Sequence, residues 1–260
     1  MKLIFIRHGD PDYAHDNLTD KGKVEATLLS EDIERYKIDD IYLSPLGRAQ
    51  ATAKYSMDKL GKSGKTYDWL MEFPAKFDPN LSETARMAYE NELVINKETG
   101  KYEKRIIWDL LPAYYNEHPE LLDRIAWRDS EIAKASDAVI KYDYTVESFD
   151  KLLAEYGYVR DGLIYKTENG NDKTIAFFCH YGITSVLLSH LWNISPFVMF
   201  QSMATAPTSV TMVATEERQK GFVSFRTLRC GDVTHLNIGN EEPSFSARFC
   251  ERYENDWERH

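Results

Sequence analysis

The 260-residue chain is poor in cysteine: Cys179, Cys230 and Cys250 are odd in number, far apart and form no CxxC pair. That argues against a disulfide framework or a zinc ribbon and for a reducing compartment. Long apolar runs are also missing, so no membrane span is expected. The apolar stretch in MKLIFIRHGD is too short for a signal-peptide core, and a cytoplasmic location is the expectation. Positive charge is not in excess either: 32 Lys and Arg stand against 42 Asp and Glu, a formal charge of −10. Such a chain has no surplus of cations with which to displace the counterions of a nucleic acid, so no nucleic-acid partner is expected. A local basic pocket for a small anion stays open. Repeats and low-complexity tracts are absent as well. What remains, 43% hydrophobic and 28% charged residues, is the composition of a globular protein of one large domain, 1–260.

The apolar residues fall into a pattern. Leu3 to Ile6 form a continuous run, as in a strand buried on both faces. Thr19 or Asp20 can cap a helix whose apolar face is Ala26, Leu29 and Ile33. Ile41 to Leu43 read as a second strand, Gly47 to Met57 as a helix, and Trp69 to Phe73 as a third strand. From about 74 to 171 the sequence becomes charged, rich in Tyr and Trp, mostly helical in period and punctuated by Pro74, Pro79, Pro112 and Pro119. This stretch reads as a helical insertion. The sheet pattern returns at Thr174 to Cys179, followed by a helix marked by Ile183, Val186, Leu187 and Leu191. Val210 to Ala214 and Phe222 to Leu228 read as a late hairpin. Strand–helix alternation predicts an α/β fold, a three-layer α/β/α sandwich with a mostly parallel central sheet.

Ligands of such sheets sit at the carboxyl ends of the strands. Two separate segments place a histidine there: Phe5-Ile6-Arg7-His8-Gly9 and Phe177-Phe178-Cys179-His180-Tyr181-Gly182. If the two strands are parallel neighbours, both imidazoles face one crevice. Arg7 closes an apolar run, and a guanidinium at that depth calls for an anion, which its fork can grip bidentately. Arg48 lies near the start of a helix, where a cation opposes the helix dipole unless an anion is bound. Cys179, next to His180 on a strand, points to the opposite face and reads as packing. His190 reads as a core histidine and His118 as an exposed one. Trp108, Tyr114, Tyr115 and Trp127 read as core.

In these residues the chain resembles the histidine phosphatase superfamily, which includes the cofactor-dependent phosphoglycerate mutases. Leu3-Ile4-Phe5-Ile6-Arg7-His8-Gly9 is similar to its RHG strand, Leu18-Thr19-Asp20-Lys21-Gly22 to its LTxxG segment, and Ser44-Pro45-Leu46-Gly47-Arg48-Ala49 with Thr52-Ala53 to its second arginine motif. Leu70-Met71-Glu72 resembles its acid segment and His180-Tyr181-Gly182 its second histidine motif, all in the family's order. The resemblance implies a small phosphorylated substrate, no cofactor and no metal. It makes His8 the nucleophile that forms a phosphohistidine. Arg7, Arg48 and His180 would hold the phosphoryl oxygens, and Glu72 would be the general acid, with a pKa raised toward neutrality. Glu83 and Glu92 are the substitutes for Glu72. The departures fall at substrate recognition. Asp10 follows RHG where Glu or Gln is usual, and Phe73-Pro74-Ala75-Lys76-Phe77-Asp78 replaces a Gly-rich stretch. Ala14 occupies the position of a common Asn, leaving Asn17 or His15 as its replacement, and Tyr181 stands where Gly or Asn is common. Asn17, Tyr181 and Gly182 are the candidate substrate-binding residues.

Three other readings compete with a phosphatase. A mutase would return the phosphoryl group to an acceptor, with the insertion shielding the phosphoenzyme from water. A metal-dependent hydrolase would use His8, Asp10, Asp12, His15 and Asp16, which crowd one loop. A non-catalytic module would bind a phosphorylated ligand without turnover. The sequence does not define an oligomeric state.

Overall fold

The structure, a computed structural model, describes residues 1–244; Cys250 lies outside them. The chain divides into two compact units. Among the described residues, the first comprises Met1–Glu72, Leu152–Thr184 and the chain from Ala204; the second comprises Phe73–Lys151 and Ser185–Met203.

The first unit is built on an eight-stranded sheet. In chain order its strands are β1 (Lys2–Arg7), β2 (Asp40–Leu43), β3 (Lys65–Thr66), β4 (Val159–Asp161), β5 (Ile164–Lys166), β6 (Thr174–Cys179), β7 (Val210–Gln219) and β8 (Phe222–Asp232). They lie side by side as β3-β2-β6-β1-β7-β8-β5-β4. The pairs β3–β2, β2–β6 and β6–β1 are parallel, so the core of the sheet is parallel as expected. From β1 outward the pairs β1–β7, β7–β8, β8–β5 and β5–β4 are antiparallel. The late hairpin forms as β7–β8. The fold is therefore mixed α/β, with a central sheet flanked by helices.

Strand pleating sorts the core. Ile4 and Ile6 of β1 join Ala176 and Phe178 of β6 on one face, where they pack with Leu29 of helix α1 (Asp20–Asp32), with Ile33 just after it and with Ala53 of helix α2 (Gly47–Leu60). On the other face Phe5 stacks on Phe177 at 5.2 Å, and Tyr42 and Trp69 add rings around Phe177. Thr19 caps α1 as its sequence suggests: the side-chain oxygen accepts from the Gly22 N–H. Helix α2 ends at Gly61, whose φ of 62° suits the left-handed closing turn.

Two expectations are corrected. Trp69 to Phe73 is not a strand. Only Lys65–Thr66 pairs with the sheet, after which Asp68–Leu70 turns as a 3₁₀-helix. The apolar residues Trp69 and Leu70 are there to be buried, not to pair. Nor does the stretch from 74 to 171 form long helices throughout. Its prolines break it into short turns of helix, such as Pro112–Glu117 and Pro119–Leu122, until α3 (Ala138–Glu155) runs uninterrupted. Residues 159–166 of this stretch contribute two strands to the sheet.

The second unit has its own core. Phe73, Phe77, Tyr89, Tyr114, Tyr115 and Trp127 are buried together, with Trp108 packed at the margin. His190 pairs with Asp150 at 2.9 Å in this unit. His118 is half-buried rather than exposed, because its ring stacks on Tyr114 at 3.9 Å.

Candidate active site

The register of β1 and β6 decides where the two histidines go. Arg7 lies opposite Cys179 in a parallel pair, so His8 and His180 are the next residues of adjacent strands, on the same edge of the sheet. The ladder continues one step, with the His8 N–H donating to the Cys179 carbonyl at 3.0 Å. The two imidazoles meet with ring centroids 5.0 Å apart.

His8 is 2% exposed. Its Nδ1 lies 2.8 Å from the Gly9 carbonyl oxygen, which can only accept. The proton therefore sits on Nδ1, and the lone pair is on Nε2. Burial, with help from Arg7 and Arg48, lowers the His8 pKa to about 3, so the ring is neutral. A neutral imidazole with a fixed tautomer is a nucleophile. His180 is fully buried, and its Nε2 lies 2.7 Å from the Ser44 hydroxyl. That hydroxyl already accepts the Leu46 N–H, so its own proton is available for His180 Nε2, and Nδ1 then carries the other proton. Among the described residues, Nδ1 of His180 is buried without a hydrogen-bond partner. Burial, then the His8 ring and both arginines, hold the His180 pKa well below its ordinary value.

Both guanidiniums belong to the same unit. Arg7, 8% exposed, donates from Nη1 to the Thr205 carbonyl, while its Nε is buried without a partner among the described residues. Burial lowers its pKa, and the charge of Glu72 opposes the shift. Arg48, in the first turn of α2, directs Nε toward His8 Nε2 at 3.4 Å and Nη1 to the Asp16 carboxylate at 2.7 Å. Glu72 accepts the Ile183 N–H at 3.2 Å, in the first turn of α4 (Tyr181–Trp192), the helix that starts directly after His180. Tyr181 is buried with its ring 5.9 Å from the Arg7 guanidinium, and Gly182 follows in the same turn.

The motif residues around these groups have physical jobs. Thr52 of α2 accepts the Gly9 N–H at 2.9 Å, tying the loop after β1 to that helix. A Cβ on Gly22 would sit 2.3 Å from the Asp10 carbonyl oxygen, so only glycine lets α1 pass this loop. Cys179 is buried, contacts the Thr184 hydroxyl at 3.4 Å, and has its pKa pushed up to about 12 by burial. It is a packing residue.

Other candidates are placed elsewhere. Asn17 is exposed, with its side-chain oxygen on the neighbouring Leu18 N–H. His15 pairs with Asp12 at the surface, 2.7 Å apart. Asp10 turns inward to the Thr19 and Ser244 hydroxyls. Among the described residues no three His, Cys, Asp or Glu side chains are placed to share a metal ion. Glu83 and Glu92 belong to the second unit, next to Arg86 and Arg105. Sequence reasoning missed two residues. In the sequence Ser44 stands only as the start of the second arginine motif, and its place before Pro45 gives no sign of a histidine partner. Asp16 had been considered only as a metal ligand.

The model of the histidine phosphatase superfamily (branch 1) matches residues 3–110. No curated protein matched the chain in sequence. Similar solved structures include a mycobacterial glucosyl-3-phosphoglycerate phosphatase, with a TM-score of 0.53 at 17% identity over 88% of this chain and 98% of the other. A phosphoserine phosphatase from Entamoeba histolytica, in complex with 3-phosphoglyceric acid, has a TM-score of 0.53 at 18% identity over 90% and 98%. Mycobacterial hydrolase 1 reaches 0.54 at 17% identity over 89% and 98%. At these identities the likeness is one of fold, and it runs over most of this chain.

The buried neutral histidines give the fold a pH signature. The folded-state pKa of His8 is depressed, so its contribution is complete above about pH 6.5 and is lost as the pH falls toward about 3. Between about pH 7.5 and about pH 5 this one ring should remove roughly 2 kcal/mol of stability, at about 1.4 kcal/mol per pKa unit. Urea unfolding at the two pH values should show a smaller drop for His8→Asn than for the unmodified protein. Equal drops would mean that His8 carries a proton in the folded state.

Proposed function

We propose that the chain is a metal-independent phosphomonoester hydrolase acting on a small phosphorylated metabolite through a phosphohistidine at His8. The observation that carries this reading is the fixed tautomer of His8: a neutral Nε2 lone pair, 3.4 Å from the Arg48 Nε, with unpartnered buried donors on Arg7 and His180 in the same unit. Orphaned donors of this kind are costly unless an anion completes them.

The steps follow from the groups present. Nε2 of His8 attacks phosphorus, forming the P–N bond as the ester P–O bond breaks. Arg7, Arg48 and His180 donate to the phosphoryl oxygens, where charge is carried through the transition state. Glu72 gives its proton to the leaving alkoxide. It then takes a proton from water, whose oxygen attacks phosphorus as the P–N bond breaks, and inorganic phosphate and neutral His8 are regenerated. No step needs a metal, because the nucleophile and the counter-charges are side chains.

Two of the similar folds are named as phosphatases of a glucosyl phosphoglycerate and of phosphoserine. They support small phosphorylated metabolites as the substrate class here. Turnover of a phosphomonoester panel should survive exhaustive chelation, and rapid quenching under alkaline conditions should trap a phosphohistidine. A panel that yields no phosphate, with phosphate esters still bound, would replace this reading with a binding module. Glu72→Gln should slow hydrolysis of alkyl phosphates by about a hundredfold or more and of nitrophenyl phosphate far less, because only the poor leaving group needs the proton. Equal slowing of both would assign the acid to another residue.

A further inference from the structure

We infer that Asp16 is the positioning residue of this site, clasping the loop after β1 to the start of α2 so that one edge of the Arg48 guanidinium is held toward His8. This rests on the phosphatase reading for its kinetics, but not for its ligand binding.

Four observations converge on Asp16. Its two carboxylate oxygens are divided between two donors: Oδ1 accepts Arg48 Nη1 at 2.7 Å, and Oδ2 accepts the Gly47 N–H at 2.6 Å. The Gly47 N–H belongs to the first turn of α2, which has no side-chain cap at Leu46, so Asp16 supplies from a distant loop the acceptor that the helix lacks. A Cβ on Gly47 would lie 2.2 Å from the Asp16 carbonyl oxygen, so the approach of the two segments requires glycine at 47. Asp16 itself adopts φ 45°, a left-handed conformation that few side chains take without support. Tyr13 of the same loop places its ring 5.4 Å from the Arg48 guanidinium.

The geometry leaves Arg48 a division of labour. A guanidinium has donors on several edges. Asp16 takes Nη1, and Nε is directed at His8 Nε2. A phosphoryl group on that nitrogen would therefore meet an arginine already oriented, with no side-chain freedom to lose. Asp16 is 42% exposed, so the ion pair itself adds little to stability. Its effect is on orientation. Burial opposes ionisation of Asp16, but the Gly47 N–H and Arg48 outweigh it and hold the carboxyl below the usual range, so the clasp is closed at neutral pH.

Asp16→Asn and Asp16→Gly both tolerate a positive φ and should fold with thermal midpoints near that of the unmodified protein. Asn keeps one acceptor for two donors, and Gly keeps none. On nitrophenyl phosphate, kcat should fall about tenfold for Asn and toward a hundredfold for Gly, the range for lost hydrogen bonds to a charged group. In an Arg48→Met background the same substitutions should cause no further loss, because Asp16 acts through Arg48. Vanadate binding, followed by calorimetry, should weaken in the same order. An equal loss in both backgrounds would overturn the proposal, as would tighter vanadate binding in the variants, which would make Asp16 a competitor for the anion. If the unmodified protein hydrolyses nothing, the phosphatase reading fails, and the vanadate series still decides the role of Asp16.

Discussion

His8→Ala is expected to lose turnover by at least about a thousandfold while keeping its fold and much of its affinity for phosphate. The loss should be that large because in the proposed scheme the imidazole bonds to phosphorus, and removal of a nucleophile leaves only the rate enhancement of binding and electrostatics. Affinity should survive because the donors belong to other residues: Arg7 lies one residue earlier in β1, Arg48 is on α2, and His180 follows β6. The fold should survive because the His8 side chain makes a local bond to Gly9 and no long-range side-chain bond other than the 3.4 Å contact with Arg48 Nε. The alkaline-quenched variant should carry no phosphohistidine. Activity within tenfold of the unmodified protein would end the covalent scheme, and the same result with a trapped phosphoenzyme would move the nucleophile to His180.

The convergence of two histidines was legible in the sequence because it depends on features that sequence carries directly. Two unbroken apolar runs each end in a histidine, and burial on both faces selects a parallel pair. Once β1 and β6 are neighbours, the register puts both rings at one edge. Arg7 and Arg48 drew attention because each stands where a cation alone is unfavourable, and both lie beside His8. What escaped was set by tertiary contacts. Trp69 to Phe73 has the composition of a strand, yet Trp69 is used to cover Phe177. Ser44 looks like half of a Ser-Pro turn, and its bond to His180 spans 136 positions. Asp16 sits among five metal-ligand types in one loop, and only the approach of Gly47 shows that it caps a helix. Asn17, beside it, is a stand-in for the Asn missing at position 14, but its side chain turns back onto Leu18.

The second large effect pairs opposite signs in one substitution. Arg7→Met should lower kcat/KM by about a hundredfold to a thousandfold, the range for loss of one transition-state donor. In phosphate-free buffer it should also raise stability, because the desolvation cost of a buried guanidinium goes with it. The reason lies in the hydrogen bonds of Arg7. Nη1 reaches the Thr205 carbonyl, Nε is buried without a partner, and burial pulls the pKa of the group down. Its carboxylate neighbour Glu72 is half-buried and keeps the Ile183 N–H when the arginine is gone, so little is stranded. Met fills an irregular gap without a polar atom to satisfy. The unliganded fold thus carries Arg7 at a cost, which under the proposed function a bound phosphoryl group would offset. Added phosphate should accordingly raise the melting temperature of the unmodified protein by mass action and shift that of Arg7→Met much less. A variant less stable than the unmodified protein in the absence of phosphate would show that the guanidinium holds the end of β1 together, and its partnerless Nε would then say nothing about an anion.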